Sequence, residues 1–196
     1  TCALPISGTK PETWNPTTGC NKVSQGCKNC YAEVMHKRLM GMYPQKYNQP
    51  FLAGAVAHED TLQIPFKWKT PRTVFVNSMS DLFHENISEM FIMMVFSVMK
   101  KCPQHTFIIL TKRPERMLTF FNETNPEVLP NVWLGVSCEN QETANERIPY
   151  LLQVPAAVRF LSCEPLLGAI DLNFSINSHL RGPSVVTAIE KIDWVI

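Results

Sequence analysis

Residues 106–117 read TFIILTKRPERM, and they carry the plan that the rest of the chain repeats. The apolar, β-branched run 106–111 predicts a strand. It gives out into Thr111, Lys112 and Arg113. Pro114 then stands where a helix begins, its φ already fixed and no donor to lose. The same order precedes it. TVFVNS (73–78) predicts a strand, followed by MSDLFHE and by a helix over NISEMFIMMVFSVMKK (86–101). Asn86 with Glu89 predicts a capping box for that helix, and Phe91, Val95 and Val98 its core face. The order also recurs after it. NVWLGVS (131–137) predicts a strand, and ENQETANERIPYLLQ a helical return with a break near Pro149. AVRFLSCEP (157–165) predicts another strand and DWVI (193–196) the last.

Near-continuous apolar strands separated by helices fit a parallel sheet covered on both faces. A (β/α) barrel and an open doubly wound sheet both satisfy the pattern. No Gly-rich phosphate loop follows any strand, which removes the best-known nucleotide-binding reading. Residues 43–72, rich in Pro and aromatics without a clean period, are read as a long insertion, and 173–192 as a second loop-rich stretch. TCALPIS (1–7) fits no pattern in the rest of the chain. Residues 1–12 are therefore read as a non-native or disordered tail and 13–196 as one α/β domain. The stop at KIDWVI, inside a strand, predicts that a C-terminal part of the fold is missing.

Composition narrows the class. A 45% hydrophobic, 18% charged chain of 196 residues reads as one soluble globular domain. No apolar run reaches the ~18 residues needed to cross a bilayer, and no signal peptide opens the chain, so it is read as cytoplasmic with no membrane partner. The net charge of +1 marks no general nucleic-acid binder, although TKRPER (111–116) is a local basic patch.

Each strand ends in small polar and charged residues: Asn77, Ser78, Ser80 and Asp81; Thr111, Lys112 and Arg113; Ser137, Glu139 and Asn140; Ser162 and Glu164. Parallel α/β folds bind ligands at these carboxyl ends, so the four groups predict a polar bowl on one rim. Turn and cap preferences account for such residues one at a time. The tripeptide SCE, following an apolar run at both 137–139 and 162–164, strengthens the functional reading. Lys112, Arg113 and Arg116 suit a phosphate or a carboxylate. His84 and Glu85 suit acid–base work or plain capping. Trp14 and Asn15 are expected to pack beside the cysteine loop.

Cys20, Cys27 and Cys30 fall in TWNPTTGCNKVSQGCKNCYAE (13–33), spaced C-x6-C-x2-C. A structural zinc site wants four ligands, which His36 or one of Cys102, Cys138 and Cys163 would have to complete. Cys138 and Cys163 otherwise read as small buried residues. Three thiolates alone suit a [4Fe–4S] cluster with one iron left open.

That stretch, with VFVNSMSDLFHE, FIILTKRPERM, NVWLGVSCENQ and RFLSCEPLLGAIDL, resembles the phage Gp37/Gp68-like family, the three-Cys-motif, DUF5131-type proteins of unknown function. More distantly the chain is similar to the radical SAM superfamily. The resemblance implies a partial (β/α) barrel of about six parallel strands, truncated at the C-terminus. It implies a cluster on Cys20, Cys27 and Cys30 whose open iron takes S-adenosylmethionine, and one-electron cleavage of that cofactor to start radical chemistry. By position, Ser78, Ser80 and Asp81 would meet the methionyl end. Thr111, Lys112, Ser137, Glu139, Ser162 and Glu164 would meet the rest of the cofactor or the substrate. An electron donor and a nucleic-acid or nucleotide substrate are the implied partners. The spacing departs from the superfamily's C-x3-C-x2-C, Asn29 replaces the aromatic before the third cysteine, and NSMSD replaces a Gly-Gly-Glu. The alternative is a zinc-stapled nucleic-acid-binding module without catalysis.

Overall fold

The computed structural model describes residues 10–173, 175–176 and 186–196. Its centre is one six-stranded sheet: β1 (Lys10–Trp14), β2 (Arg72–Val76), β3 (Thr106–Thr111), β4 (Val132–Ser137), β5 (Val158–Ser162) and β6 (Trp194–Val195). Every pairing is parallel, and spatial order follows chain order from β1 to β6. Among the described residues there is no point where the strand order reverses, the feature on which a doubly wound sheet depends. Among the described residues no ladder joins β6 back to β1.

Among the described residues four α-helices accompany the strands: α1 (Tyr31–Met42), α2 (Glu89–Lys101), α3 (Pro114–Thr124) and α4 (Gln141–Gln153). Alternation along the strands divides the sheet into two faces. Val74, Val76, Phe107, Ile109, Leu134 and Val136 share the main core with Phe91, Val95, Met117, Phe120, Ile148 and Leu151 of α2, α3 and α4. Each such side chain, fully buried, stabilises the fold by ~1.5–3 kcal/mol. The other face carries a smaller apolar group in which Ile108 and Phe160 are buried and Phe75, Leu110, Trp133 and Trp194 are partly covered. Gly135 belongs to that face, where a Cβ would lie 2.4 Å from Cε1 of Phe160. Among the described residues no helix is long and apolar enough to cross a membrane.

Several expectations shift. Lys10, Pro11 and Glu12, assigned to a tail, are part of β1 and pair with Arg72, Thr73 and Val74. Helix α2 starts later than expected. Its cap is Ser88, whose hydroxyl accepts from Phe91 N at 3.3 Å. Asn86 cannot serve, because its own N–H donates to His84 Nδ1 and its side chain lies against Gly54. Helix α4 runs through Pro149 without a break. Trp14 sits in the main core, edge-on to Phe107 with Nε1 donating to Thr61 O, rather than beside the cysteines. Of the loop-rich stretch 173–192, residues 174 and 177–185 lie outside the described residues. The rest includes a short antiparallel pair, Ser175–Ile176 with Val186–Thr187.

Candidate functional site

The cysteine loop lies over the carboxyl ends of the strands, and backbone geometry fixes its entry. Gly19 has φ +82, a left-handed conformation, and a Cβ there would lie 2.3 Å from Gly54 O. Only glycine meets both demands. Gly19 N donates to Met79 O, its carbonyl accepts Ser80 Oγ at 2.6 Å, and Cys20 N donates to Phe51 O. Asn15 Oδ1 accepts from Ser78 Oγ and Met79 N, tying the start of the loop to the end of β2. Cys27 closes a short 3-10 turn (Gln25–Cys27), and Cys30 is the N-cap residue of α1.

Cys20, Cys27 and Cys30 are each partly exposed and line one cleft of about 190 Å³. Ser78, Ser80, Asp81, Thr111, Lys112 and Ser137 line the same cleft, as do Asn77 and Arg113. Glu139, Ser162 and Glu164 are not among its lining residues. Glu139 and Ser162 are buried, and Glu164 is exposed beside the cis bond to Pro165. His36 is buried on α1, with Nε2 bonded to Gln49 O and the ring edge-on to Tyr47 and Phe51. Cys138 is buried in the main core as expected, and Cys102 lies there too, whereas Cys163, also expected to be buried, is partly exposed.

Two ionic networks hold the rim. In the first, Asp81 accepts from Phe83 N (3.0 Å), Thr111 Oγ1 (2.8 Å), Lys112 N (3.0 Å) and Arg113 Nη1 (3.3 Å), which binds the β2 end to the β3 end. Arg113 Nη1 also donates to Cys20 Sγ at 3.6 Å, Nε donates to Glu85 Oε2 at 3.1 Å, and Nη2 donates to the Asn21 side chain. Burial pushes the Cys20 thiol up to about 11, against the pull of Arg113. Burial acts to raise the Glu85 carboxyl, but bonds from its own backbone and Asn21 and the charge of Arg113 bring it down to about 2. His84 is buried, with Nδ1 accepting from Asn86 N. Burial first, and then Arg113, lower its pKa below the ordinary histidine value.

Glu139 organises the second network. The Asn140–Thr143 capping box sets it at the head of α4, with Glu139 N donating to Thr143 Oγ1. Its carboxylate accepts from Arg147 Nη1 (3.2 Å) and from Ser24 Oγ of the cysteine loop (2.9 Å), with Lys112 Nζ at 3.5 Å. Burial would raise this carboxyl, but Arg147, Lys112 and Ser24 outweigh it and hold the pKa below the usual carboxylate value. Lys112 Nζ also donates to Ser137 Oγ at 2.8 Å.

Reading from sequence placed the thiols and most of the strand-end residues together, but gave no role to Ser24, Asn21 or Arg147. Ser24 lies 115 positions from its partner Glu139, and no local pattern joins them. Among the described residues no three Cys, His, Asp or Glu side chains are gathered closely enough to hold a metal ion as they stand. The donor set nevertheless fits an iron–sulfur cluster in kind: three thiols of one loop, partly exposed to one cleft, with a guanidinium on one sulfur.

No curated protein and no solved structure matches the chain. Residues 6–196 match the family model described as "Protein of unknown function (DUF5131)". The chain therefore belongs to the DUF5131 family.

Proposed function

We propose that the cleft holds a [4Fe–4S] cluster on Cys20, Cys27 and Cys30, and that the protein is an enzyme of the radical SAM type built on a partial (β/α) barrel. One observation carries the reading. Three thiols line one cleft at the carboxyl ends of parallel strands, and no histidine or fourth cysteine is among its described lining residues. The sequential strand order supports the barrel reading. When bound, such a cluster supplies one electron through an iron whose fourth position is open to S-adenosylmethionine.

The chain's own residues have separable tasks. Arg113 donates a hydrogen bond to the Cys20 sulfur, which tunes the potential of a bound cluster. Asp81 holds Arg113 in place from two strand ends. Glu139 fastens the cysteine loop through Ser24. Lys112 places a cation on the cleft wall and suits the proposed nucleotide or nucleic-acid substrate. An external one-electron donor completes the reading.

The test is anaerobic purification with iron, sulfide and zinc assays and a visible spectrum. About four irons, matching sulfide and a broad band near ~400 nm are expected, all lost in the Cys20→Ala, Cys27→Ala, Cys30→Ala triple variant. One zinc per chain and no iron would replace the cluster with a structural staple and end the radical reading.

A further inference from the structure

Asn77 is the first residue after β2, and it is unusual in two independent respects. Its backbone lies at φ 63, in the left-handed region. Its side chain is buried, only 4% exposed, on a residue that lines the cleft, yet among the described residues Nδ2 has no hydrogen-bond partner. Buried amide donors without a partner are rare and costly.

The orientation of the amide is fixed by its other end. Thr17 N donates to Asn77 Oδ1 at 3.1 Å, and a backbone N–H can bond only to the oxygen. Two structural demands are therefore met by half of the side chain. Asparagine and aspartate both tolerate this backbone region, and either would accept from Thr17. The amide adds a donor that the fold leaves unused.

Neighbouring residues extend the pattern. Asn77 follows Phe75, and Lys112 follows Leu110, by two positions, and Phe75 and Leu110 belong to the smaller apolar group. Phe75, Leu110, Asn77 and Lys112 all line the cleft. Lys112 Nζ has one bond, to Ser137 Oγ, and an ion pair at 3.5 Å, which leaves a third N–H. The nearby carboxylate Asp81 is already occupied by four donors. Among the described residues the cleft thus offers two donors, Asn77 Nδ2 and one N–H of Lys112, beside apolar Phe75 and Leu110.

We infer that Asn77 Nδ2 and Lys112 Nζ form a binding site for the anionic oxygens, carboxylate or phosphate, of a small molecule whose apolar body rests on Phe75 and Leu110. These donors come from strand ends and not from the cysteine loop, so the site does not depend on what the thiols hold.

Calorimetric titration with three probes of one body tests this: AMP bears a phosphate, S-adenosylhomocysteine a carboxylate, and adenosine neither. The titrations use the purified protein and the Cys20→Ala, Cys27→Ala, Cys30→Ala variant. At least one anionic probe is expected to bind tenfold or more tighter than adenosine in both proteins, and the tighter of the two identifies the group. Asn77→Asp keeps the acceptor for Thr17 and replaces the donor with a negatively charged oxygen. It is expected to erase that preference. Asn77→Gly, which takes φ 63 freely and removes the donor without adding a charge, is read alongside it, and alone if Asn77→Asp does not fold. Equal binding of all three probes, no binding, or an unchanged preference in a folded Asn77 variant would overturn the assignment. Anion binding that persists without the three thiols separates this site from the fate of the cluster.

Discussion

Gly26 rests directly on Glu139: a Cβ at residue 26 would lie 2.5 Å from Oε1 and 2.6 Å from Cγ of that side chain. The contact joins the middle of the cysteine loop to the head of α4. Glu139 has little room to yield, because Arg147 and Ser24 hold its carboxylate. Gly26→Ala is expected to destabilise the protein by about 1–3 kcal/mol, as overpacking does. Urea denaturation measures this. An unchanged midpoint would mean that the loop is not seated on Glu139.

The Glu139 carboxyl has a lower pKa in the folded protein than in the unfolded chain. Its contribution is therefore complete above the unfolded value of ~4.3 and is lost as pH falls through the folded one. Stability should be level from about pH 7 to 5 on this account and decline below about 4. Glu139→Ala leaves Arg147 buried without its partner and is expected to cost roughly 3–5 kcal/mol at neutral pH, with a shallower acid limb. Denaturation curves across pH, wild type against variant, check both statements.

Asp81 gathers donors from both strand ends that flank the cleft. Asp81→Ala removes a buried anion from beside Arg113, and a loss of roughly 3–5 kcal/mol is expected. Asp81→Asn should lose less, because the amide oxygen still serves Thr111 or Lys112 N. Equal losses for the two variants in urea denaturation would contradict a role for the hydrogen bonds that the amide oxygen keeps.

Cys20 is held mainly as a thiol by burial, with its pKa at about 11. In metal-free protein at pH 8 its thiolate fraction is on the order of one in a thousand. Alkylation by iodoacetamide, followed site by site by mass spectrometry, should be slow at Cys20 and rise steeply up to pH 10 and beyond. Half-maximal labelling near pH 8.5 would contradict the burial of this thiol.

Much of the sheet was legible because strands covered on both faces are written as unbroken apolar runs, such as FIIL and VWLGV. Pro114 marked a helix start through a backbone effect that is local by nature. What escaped depends on side-chain direction and distant partners. Ser80 reads as a ligand-facing hydroxyl, yet it donates to Gly19 O, sixty-one positions away. Asn86 reads as a cap, but its N–H is taken by His84. Pro149 reads as a break, but α4 continues through it because Ile148 and Leu151 stay packed in the core. Lys10 and Glu12 read as tail because a short edge strand of mixed polarity carries no apolar signature.

That edge strand bears on solubility. Among the described residues β1 ends the sheet on one side, and an open edge is a template on which a second chain can grow into an aggregate. Lys10, Pro11 and Glu12 make a poor template. Proline offers no N–H to an incoming strand, the flanking charges resist dehydration, and Glu12 is already engaged by Arg72. The least strand-like stretch of the sheet is thus the one that discourages self-association along this border.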